Sequence, residues 1–397
     1  MSTAVTPAPA ESARPRVKEA RDYRLDFFRG IALFFIFIDH IPNNPFGYFT
    51  MRGVALADAA EVFIFISGYT AALVYGQKMR GQGALLASAL IWRRAWQLYV
   101  AHLCLFMIYS AEVAYTLRRF NDPLFSDELG IGDFLSQPDV TVIRVLLLRF
   151  QPALLDILPL YISLLLVFPL FMVAMRRHIL LALIPSGAIY IFARLTEFNL
   201  PGSTDVDYWF FNPFAWQFLF IIAACAGYAR AEGLQLLPSS KWRTKVLVTA
   251  AAVVTVAGLL MQVSWTLHMM IPRIPGILFQ TLFPLDKTLL PPARLISILA
   301  LAVLVGWFVP RDARFMTTRA GWLVVLCGQN SLHVFCLSIL LSLLGNILIT
   351  FVSKGVLMLV AVNFGGVALL IGLGLLAAWY GEGGHLPVRP AKQMSAA

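Results

Sequence analysis

Ten apolar stretches follow one another along the chain, each long enough or nearly long enough to cross a bilayer. They run at roughly 26–41, 56–76, 92–116, 153–175, 179–195, 209–230, 244–269, 293–309, 322–349 and 355–380. A membrane helix needs about 17–25 apolar residues and a barrel strand only about 10, so these runs predict helices. The first and the fifth sit near the lower limit and suit a locally thin bilayer or snorkelling flanks. Of the 397 residues, 59% are apolar and 13% charged, where soluble domains carry about a quarter charged. The mean hydropathy is +0.76. An ordinary cytosolic enzyme, a nucleic-acid-binding domain and a disordered chain are excluded. The expectation is an all-α polytopic membrane protein of about ten transmembrane helices.

The net charge of +10 reads as topology, because Lys and Arg collect in cytoplasmic loops. With the N-terminus inside, 21 of the 31 Lys and Arg residues fall on the inner side and 10 on the outer. Arg93-Arg94, Arg176-Arg177 and the cluster Lys241, Arg243 and Lys245 land inside, and the acidic loop 121–139 lands outside. Both termini are therefore expected in the cytoplasm. Residues 1–24 read as a flexible cytoplasmic tail and not a signal peptide. Residues 25–382 form one transmembrane domain, and 383–397 a second cytoplasmic tail. The stretch 140–150 is apolar but carries Arg144 and Arg149; it is too short to span and suits the interface. An outer loop near 270–292 holds Pro272, Pro275, Pro284, Pro291 and Pro292, so it reads as irregular and stiff. Cys104, Cys225, Cys327 and Cys336 lie inside apolar runs with no metal or redox spacing, so no disulfide, redox or metal role is expected.

Ionisable residues inside membrane helices are costly and default to functional hypotheses. The first helix holds Asp26, Arg29, Asp39 and His40. Arg29 and His40 are eleven residues apart, three turns plus about 20°, so they share a face with Asp26 and stand about 16 Å apart along the axis. The topology puts Arg29 near the inner surface and His40 near the outer one. A plainer account is an ion pair capping the inner end and a histidine among the headgroups. Asp58 and Glu61 share a face at the start of the second helix, at the level where His40 leaves. Glu61, or Asp39 in its place, can orient the imidazole. Two acids in a first turn also complement the helix dipole, and for Asp58 that account is preferred.

His102 follows Arg94 on the third helix, and His333 lies beside Gln329, Asn330 and Ser331 on the ninth. Either group lines a cavity or bonds helices together. Asp156 heads the fourth helix, as an outer acid or as a dipole partner. Asp286-Lys287 and Arg294 approach the eighth helix, and Arg149 precedes Asp156. There, local ion pairs compete with recognition of an anionic or polyhydroxylated group. Trp209, Phe210, Phe211 and Trp216 read as an aromatic belt before they read as a sugar platform. Phosphate loops, Gly-x-Ser-x-Gly elbows and His-Glu-x-x-His helices are absent from the sequence, so covalent serine catalysis, at Ser67 included, is unsupported.

The run Arg24-Leu25-Asp26-Phe27-Phe28-Arg29-Gly30, followed by His40, resembles the Arg-x10-His signature of the membrane acyltransferase 3 superfamily. Glu61-Val62-Phe63-Ile64-Phe65-Ile66-Ser67-Gly68-Tyr69 resembles its acidic-aromatic-SerGly motif, with Ala-Ala-Glu in place of the usual Gly-Val-Asp. Trp92-Arg93-Arg94-Ala95-Trp96-Gln97-Leu98-Tyr99 resembles the basic start of its third helix. The wider pattern is closer still to the OpgC family, the osmoregulated periplasmic glucan succinyltransferases. It is carried by FFRGIALFFIFIDHIP, DAAEVFIFISGYTAALVYG, DILPLYISLLLVFP, FNPFAWQ, LDKTLLPPARL and SLHVFC, in the expected order from residue 24 to about 336. The resemblance implies a bacterial inner-membrane enzyme that moves a succinyl group from cytoplasmic succinyl-CoA to hydroxyls of periplasmic glucans.

On this reading Arg24, Arg29, Arg93 and Arg94 form a cationic inner mouth for the coenzyme phosphates, with His102 on the donor side. His40 acts as general base on a sugar hydroxyl, with Glu61 and Asp39 as its catalytic partners. Asp156, Arg149, Asp286, Lys287 and Arg294 meet the acceptor or the acyl group, and Arg294 or Arg149 reads the acyl carboxylate. Asp26, Asp58, Ser67, Asn330 and His333 support the site. Succinyl-CoA is a substrate, and no permanently bound cofactor or metal is expected. The partners are the bilayer, the donor and the glucan, with no nucleic acid. The residues alone leave open an acetyl group as cargo, and a different class altogether, a transporter or flippase of an anionic substrate. Transporters commonly show repeated halves, and the sequence shows none.

Overall fold

Short polar caps mark where four of the helices start. The computed structural model describes residues 21–203, 207–234, 240–270 and 286–385. In α1 (Tyr23–Asp39) the Asp22 side chain accepts from the Arg24 N–H. In α2 (Ala59–Gln82) Asp58 accepts from the Ala60 N–H while Glu61 accepts from the Asp58 N–H, both at 2.9 Å, a capping box. Then follow α3 (Ala84–Phe120), α4 (Ile157–Arg177) and α5 (Leu180–Thr196). In α6 (Pro213–Glu232) Pro213 occupies the first position and Asn212 caps the Phe214 N–H. The rest are α7 (Lys241–Met270), α8 (Pro292–Phe308), α9 (Arg319–Gln329), α10 (Ser331–Ile347) and α11 (Val356–Gly381).

Every one of the ten expected segments is helical over most of its length. Among the described residues seven helices are long and apolar enough to cross a membrane: α2, α3, α4, α6, α7, α10 and α11. The helices α5 and α8 are shorter but apolar. The segment expected at 322–349 is broken. It divides into α9 and α10 at Asn330, whose side-chain amide donates to Leu326 O at 3.0 Å and so competes for the carbonyl that α9 leaves at its end. The stretch 140–150 contributes a nine-residue helix, Pro138–Leu146. Residues 1–20 and 386–397 of the expected tails, and most of the outer loop with Pro272, Pro275 and Pro284, lie outside the described residues.

The bundle is built around α6, of which 72% of the apolar window is buried; α7 and α11, at 17% and 22%, form its rim. Large apolar side chains such as Leu85, Leu170, Leu357 and Phe364 stand exposed on the outside. In water such a surface would be a liability; in a multi-pass membrane protein it faces acyl chains. The first helix packs against α9, α2 and α10. Two glycines allow the closest of these approaches: a Cβ on Gly30 would collide with Val324 O, and one on Gly328 with Asp26 O. Small residues let membrane helices come backbone to backbone. The polar face of α1 is thereby fixed in position.

Candidate functional site

Near the N-terminal end of α1, Asp26 and Arg29 share a face because they are three residues apart. Arg29 Nη1 lies 3.7 Å from Asp26 Oδ1, and its Nη2 donates to Thr70 Oγ1 of α2 at 2.9 Å. The Thr70 hydroxyl in turn donates to Ile66 O at 2.7 Å. The Arg29 side chain is only 13% exposed. It lines a cavity of about 170 Å³ together with Ser67, Thr70, Tyr75, Arg94, Tyr161 and Ser331. Two guanidinium groups with several hydroxyls suit a phosphate or a carboxylate.

Arg24 does not belong to that cavity. Its Nε and Nη2 donate to Asp22 at 2.9 and 2.8 Å, and its Nη1 donates to Val309 O at 2.8 Å, just beyond α8. Arg230 of α6 donates to the same Asp22 carboxylate at 2.6 Å. Burial works against the Asp22 charge, but the hydrogen bonds from Arg24 and Arg230 outweigh it and hold the carboxyl at about 2. The expected phosphate-binding role of Arg24 is therefore corrected: its donors anchor the start of α1. Arg93 is exposed on α3, one residue from Arg94. His102 is fully buried two turns beyond Arg94, neither ring nitrogen has a partner among the described residues, and it does not line the inner cavity.

At the C-terminal end, His40 caps α1. The turn after it is tied down by Asn44, which donates to Ile38 O and to Asn363 Oδ1 of α11 and accepts from Asn363 in return. Asp39 Oδ1 accepts from Thr50 Oγ1 at 2.6 Å. His40 Nδ1 is buried without a hydrogen-bond partner among the described residues, which leaves Nε2 as the nitrogen with access. His40 lines a second, separate cavity of about 170 Å³ with Glu128, Leu154, Ser342 and Asn346.

Two backbone irregularities border this cavity. Leu154 holds a φ of +73°, which a leucine adopts only when its surroundings impose it. Just past Asn346 the chain widens into a π-helical turn, Leu348–Val352. Such turns concentrate at functional sites.

Beside the cavity lies a buried ion cluster. Arg294 Nε and Nη2 donate to the two oxygens of Glu61 at 2.6 and 3.0 Å, and Nη2 also lies 3.1 Å from Asp58. Lys287 pairs with Asp58 as well. Trp216 Nε1 donates to Lys287 O at 2.9 Å, which holds the 286–291 strap on α6. His40 and Asp156 are within electrostatic reach of Lys287.

Sequence spacing brought Glu61 to His40 as its orienting acid, and the structure corrects this. A residue at the third position of a helix reaches back to its own cap, so Glu61 points at the Asp58 N–H and is closed by Arg294. No hydrogen bond joins it, or Asp39, to His40 among the described residues. Arg294 is equally engaged, through its Nε and Nη2, with Glu61 and Asp58. Arg149 donates to Gly202 O at 3.2 Å, and Asp286 is exposed and caps the Thr288 N–H. Asn330 bonds along α9 and toward Gly374 of α11, whereas His333 is exposed and turned away from both cavities. Sequence reasoning missed Thr70, Tyr161, Glu128 and Asn346. Thr70 was legible, being one turn beyond Ser67. Glu128 and Asn346 carry no local signal, since one sits in an acidic loop and the other in an apolar run. No group of three potential metal ligands occurs among the described residues.

Neither a curated protein nor a solved structure matches the chain. The sequence model of the OpgC protein family matches residues 21–382, which takes in α1 to α11, both cavities and the ion cluster. On that near-complete match, the chain belongs to the OpgC family.

Proposed function

We propose that the protein is a transmembrane acyltransferase that carries a succinyl group from cytoplasmic succinyl-CoA to hydroxyls of periplasmic glucans, in the bacterial inner membrane. Family membership supports the transferase class. The observation that carries the rest is the pair Arg29 and His40. They are eleven residues apart on one face of one helix, and each opens on its own cavity. A donor made inside and an acceptor kept outside need that arrangement.

In this mechanism Arg29 and Arg94 hold the anionic end of the donor at the inner cavity, with Arg93 at its rim. To reach His40 the slender thioester arm has to pass along the α1 face from one cavity to the other, past the packed Leu33 and Phe37. His40 Nε2 takes the proton of a sugar hydroxyl as that oxygen attacks the thioester carbonyl. The C–O bond forms, the C–S bond breaks, and the proton passes from His40 to the departing thiolate. The cluster of Asp58, Glu61, Lys287 and Arg294 fixes the start of α2 against the strap before α8, so the outer wall holds its shape while the arm enters.

The test is mass spectrometry of periplasmic glucans from cells with and without the protein, with purified protein assayed on succinyl-CoA and acetyl-CoA side by side. A glucan gaining succinyl units only when the protein is present supports the reading. Unchanged glucans, or equal use of acetyl-CoA, would overturn it.

A further inference from the structure

The outer cavity contains polar groups that the transfer step does not use. Asn346 is 8% exposed. Its Oδ1 accepts from Thr350 Oγ1 at 3.1 Å, which sets the amide, and its Nδ2 has no hydrogen-bond partner among the described residues. Thr350, one turn on and within the π-helical stretch Leu348–Val352, is the i,i+4 neighbour that makes this bond. Glu128 lies at the exposed rim of the cavity with no hydrogen-bond or ion-pair partner among the described residues. It is nevertheless held in place, because the next residue, Leu129, is buried and its carbonyl accepts from the Ala153 N–H at 3.0 Å. Leu129, Leu154 and Leu343 supply apolar walls, and His40 lies at the same cavity.

This is a matched set for one kind of ligand. A carboxylate accepts from hydroxyls, an amide Nδ2 donates to them, and leucine walls cover C–H faces. A second anion beside the Glu128 carboxylate would be opposed by like charge, so the rim suits an uncharged polyol. At about 170 Å³ it is well below the ~300 Å³ at which drug-sized pockets begin, so it admits one sugar unit and no more of a chain. We propose that the outer cavity is the acceptor sugar subsite, in which Glu128 and Asn346 hold a single glucose unit with one hydroxyl at His40. The proposal rests on the transfer reading above for the role of His40, but its binding claim stands apart from turnover.

The experiment is saturation-transfer NMR on purified, detergent-solubilised protein with methyl β-glucoside as probe and methyl β-glucuronide as its charged counterpart. The expected result is a clear signal from the glucoside and about a tenfold weaker one from the glucuronide. Glu128→Gln and Asn346→Asp should each lower the glucoside signal about tenfold, as loss of one well-placed hydrogen bond does. Leu357→Ala on the outer face of α11 should leave it unchanged. Asn346→Asp keeps size and shape, and Glu128 sits at an exposed rim, so both variants are expected to elute as the wild type does on size exclusion. If Asn346→Asp aggregates, Glu128→Gln alone decides. No glucoside signal in the wild type, an undiminished signal in Glu128→Gln, or equal binding of the glucuronide would each overturn the subsite. Binding that behaves as expected while glucans gain no succinyl would instead sink the transfer reading and leave the subsite in place.

Discussion

His40 and Glu61 enter from neighbouring helices at one level, yet they do different work. His40 keeps a nitrogen open to a cavity, whereas Glu61 is fully buried and bonded by Arg294 on two atoms. Replacing His40 with Ala should therefore lower transfer by about 10²–10⁴ while succinyl-CoA binding and thermal stability stay near wild type. Single-turnover assays with a melting curve in detergent would show it, and near-normal transfer would reject the base. Glu61→Gln should act through stability instead. Removing one partner of a buried pair leaves the other charge uncompensated, at a cost of about 3–5 kcal/mol. Glu61→Leu combined with Arg294→Leu should melt higher than either single variant. If the double variant is the least stable of the three, the pair holds more than itself together.

At the scale of elements, the fold depends on two fastenings of α1. One is the backbone approach to α9 at Gly30 and Gly328. A Gly328→Val change drives a side chain into Asp26 O, and about 3 kcal/mol of destabilisation is expected from overpacking alone. Yield and melting temperature should fall, with Gly372→Val, where a Cβ meets nothing within 4 Å, as the silent control. The other is the Asp22 anchor to Arg24 and Arg230. Its carboxyl is held at about 2 against an ordinary value of 3.8. A depressed carboxylate stabilises the fold fully above its unfolded value and loses that contribution as pH falls through the folded one. Wild type should thus lose stability between about pH 4 and pH 2, and Asp22→Asn should be less stable at neutral pH and flatter over that acid range. Parallel curves for the two proteins would contradict the anchor.

For the whole molecule, the claim under test is orientation. The cation asymmetry predicts both termini in the cytoplasm and residues 117–142 outside. A single cysteine introduced beside Asp127 should react with an impermeant thiol reagent added to intact cells lacking an outer barrier. One beside Arg243 should react only after the membrane is opened. The reverse pattern would exchange the two cavities between compartments and remove the ground for His40 as the acceptor-side base. Helix α3, 37 residues and about 55 Å long, is longer than a bilayer core of about 30 Å, long enough for its ends to stand in the two aqueous layers.

Membrane helices satisfy their backbone hydrogen bonds internally, so apolar length is sufficient to declare them, and the ten segments were legible though not their ends: α3 begins at Ala84, eight residues before the expected 92. The shared face of Arg29 and His40 was equally legible, because it is a property of one helix with a fixed pitch. The break at Asn330 was not, since the amide that causes it competes with a backbone carbonyl that an unbroken helix would also offer. Partnership between side chains was beyond reach too. Glu61 looked like a partner for His40 because both leave their helices at one level, but a residue 233 positions away took it. Glu128 and Asn346 come together with His40 only through the packing of α1, α10 and two outer loops. The sequence by itself determined the helices, their polar faces and the family. The tertiary structure alone decided which buried charges neutralise one another and which polar groups are left open to a ligand, because burying a charge is costly until a partner from another helix arrives.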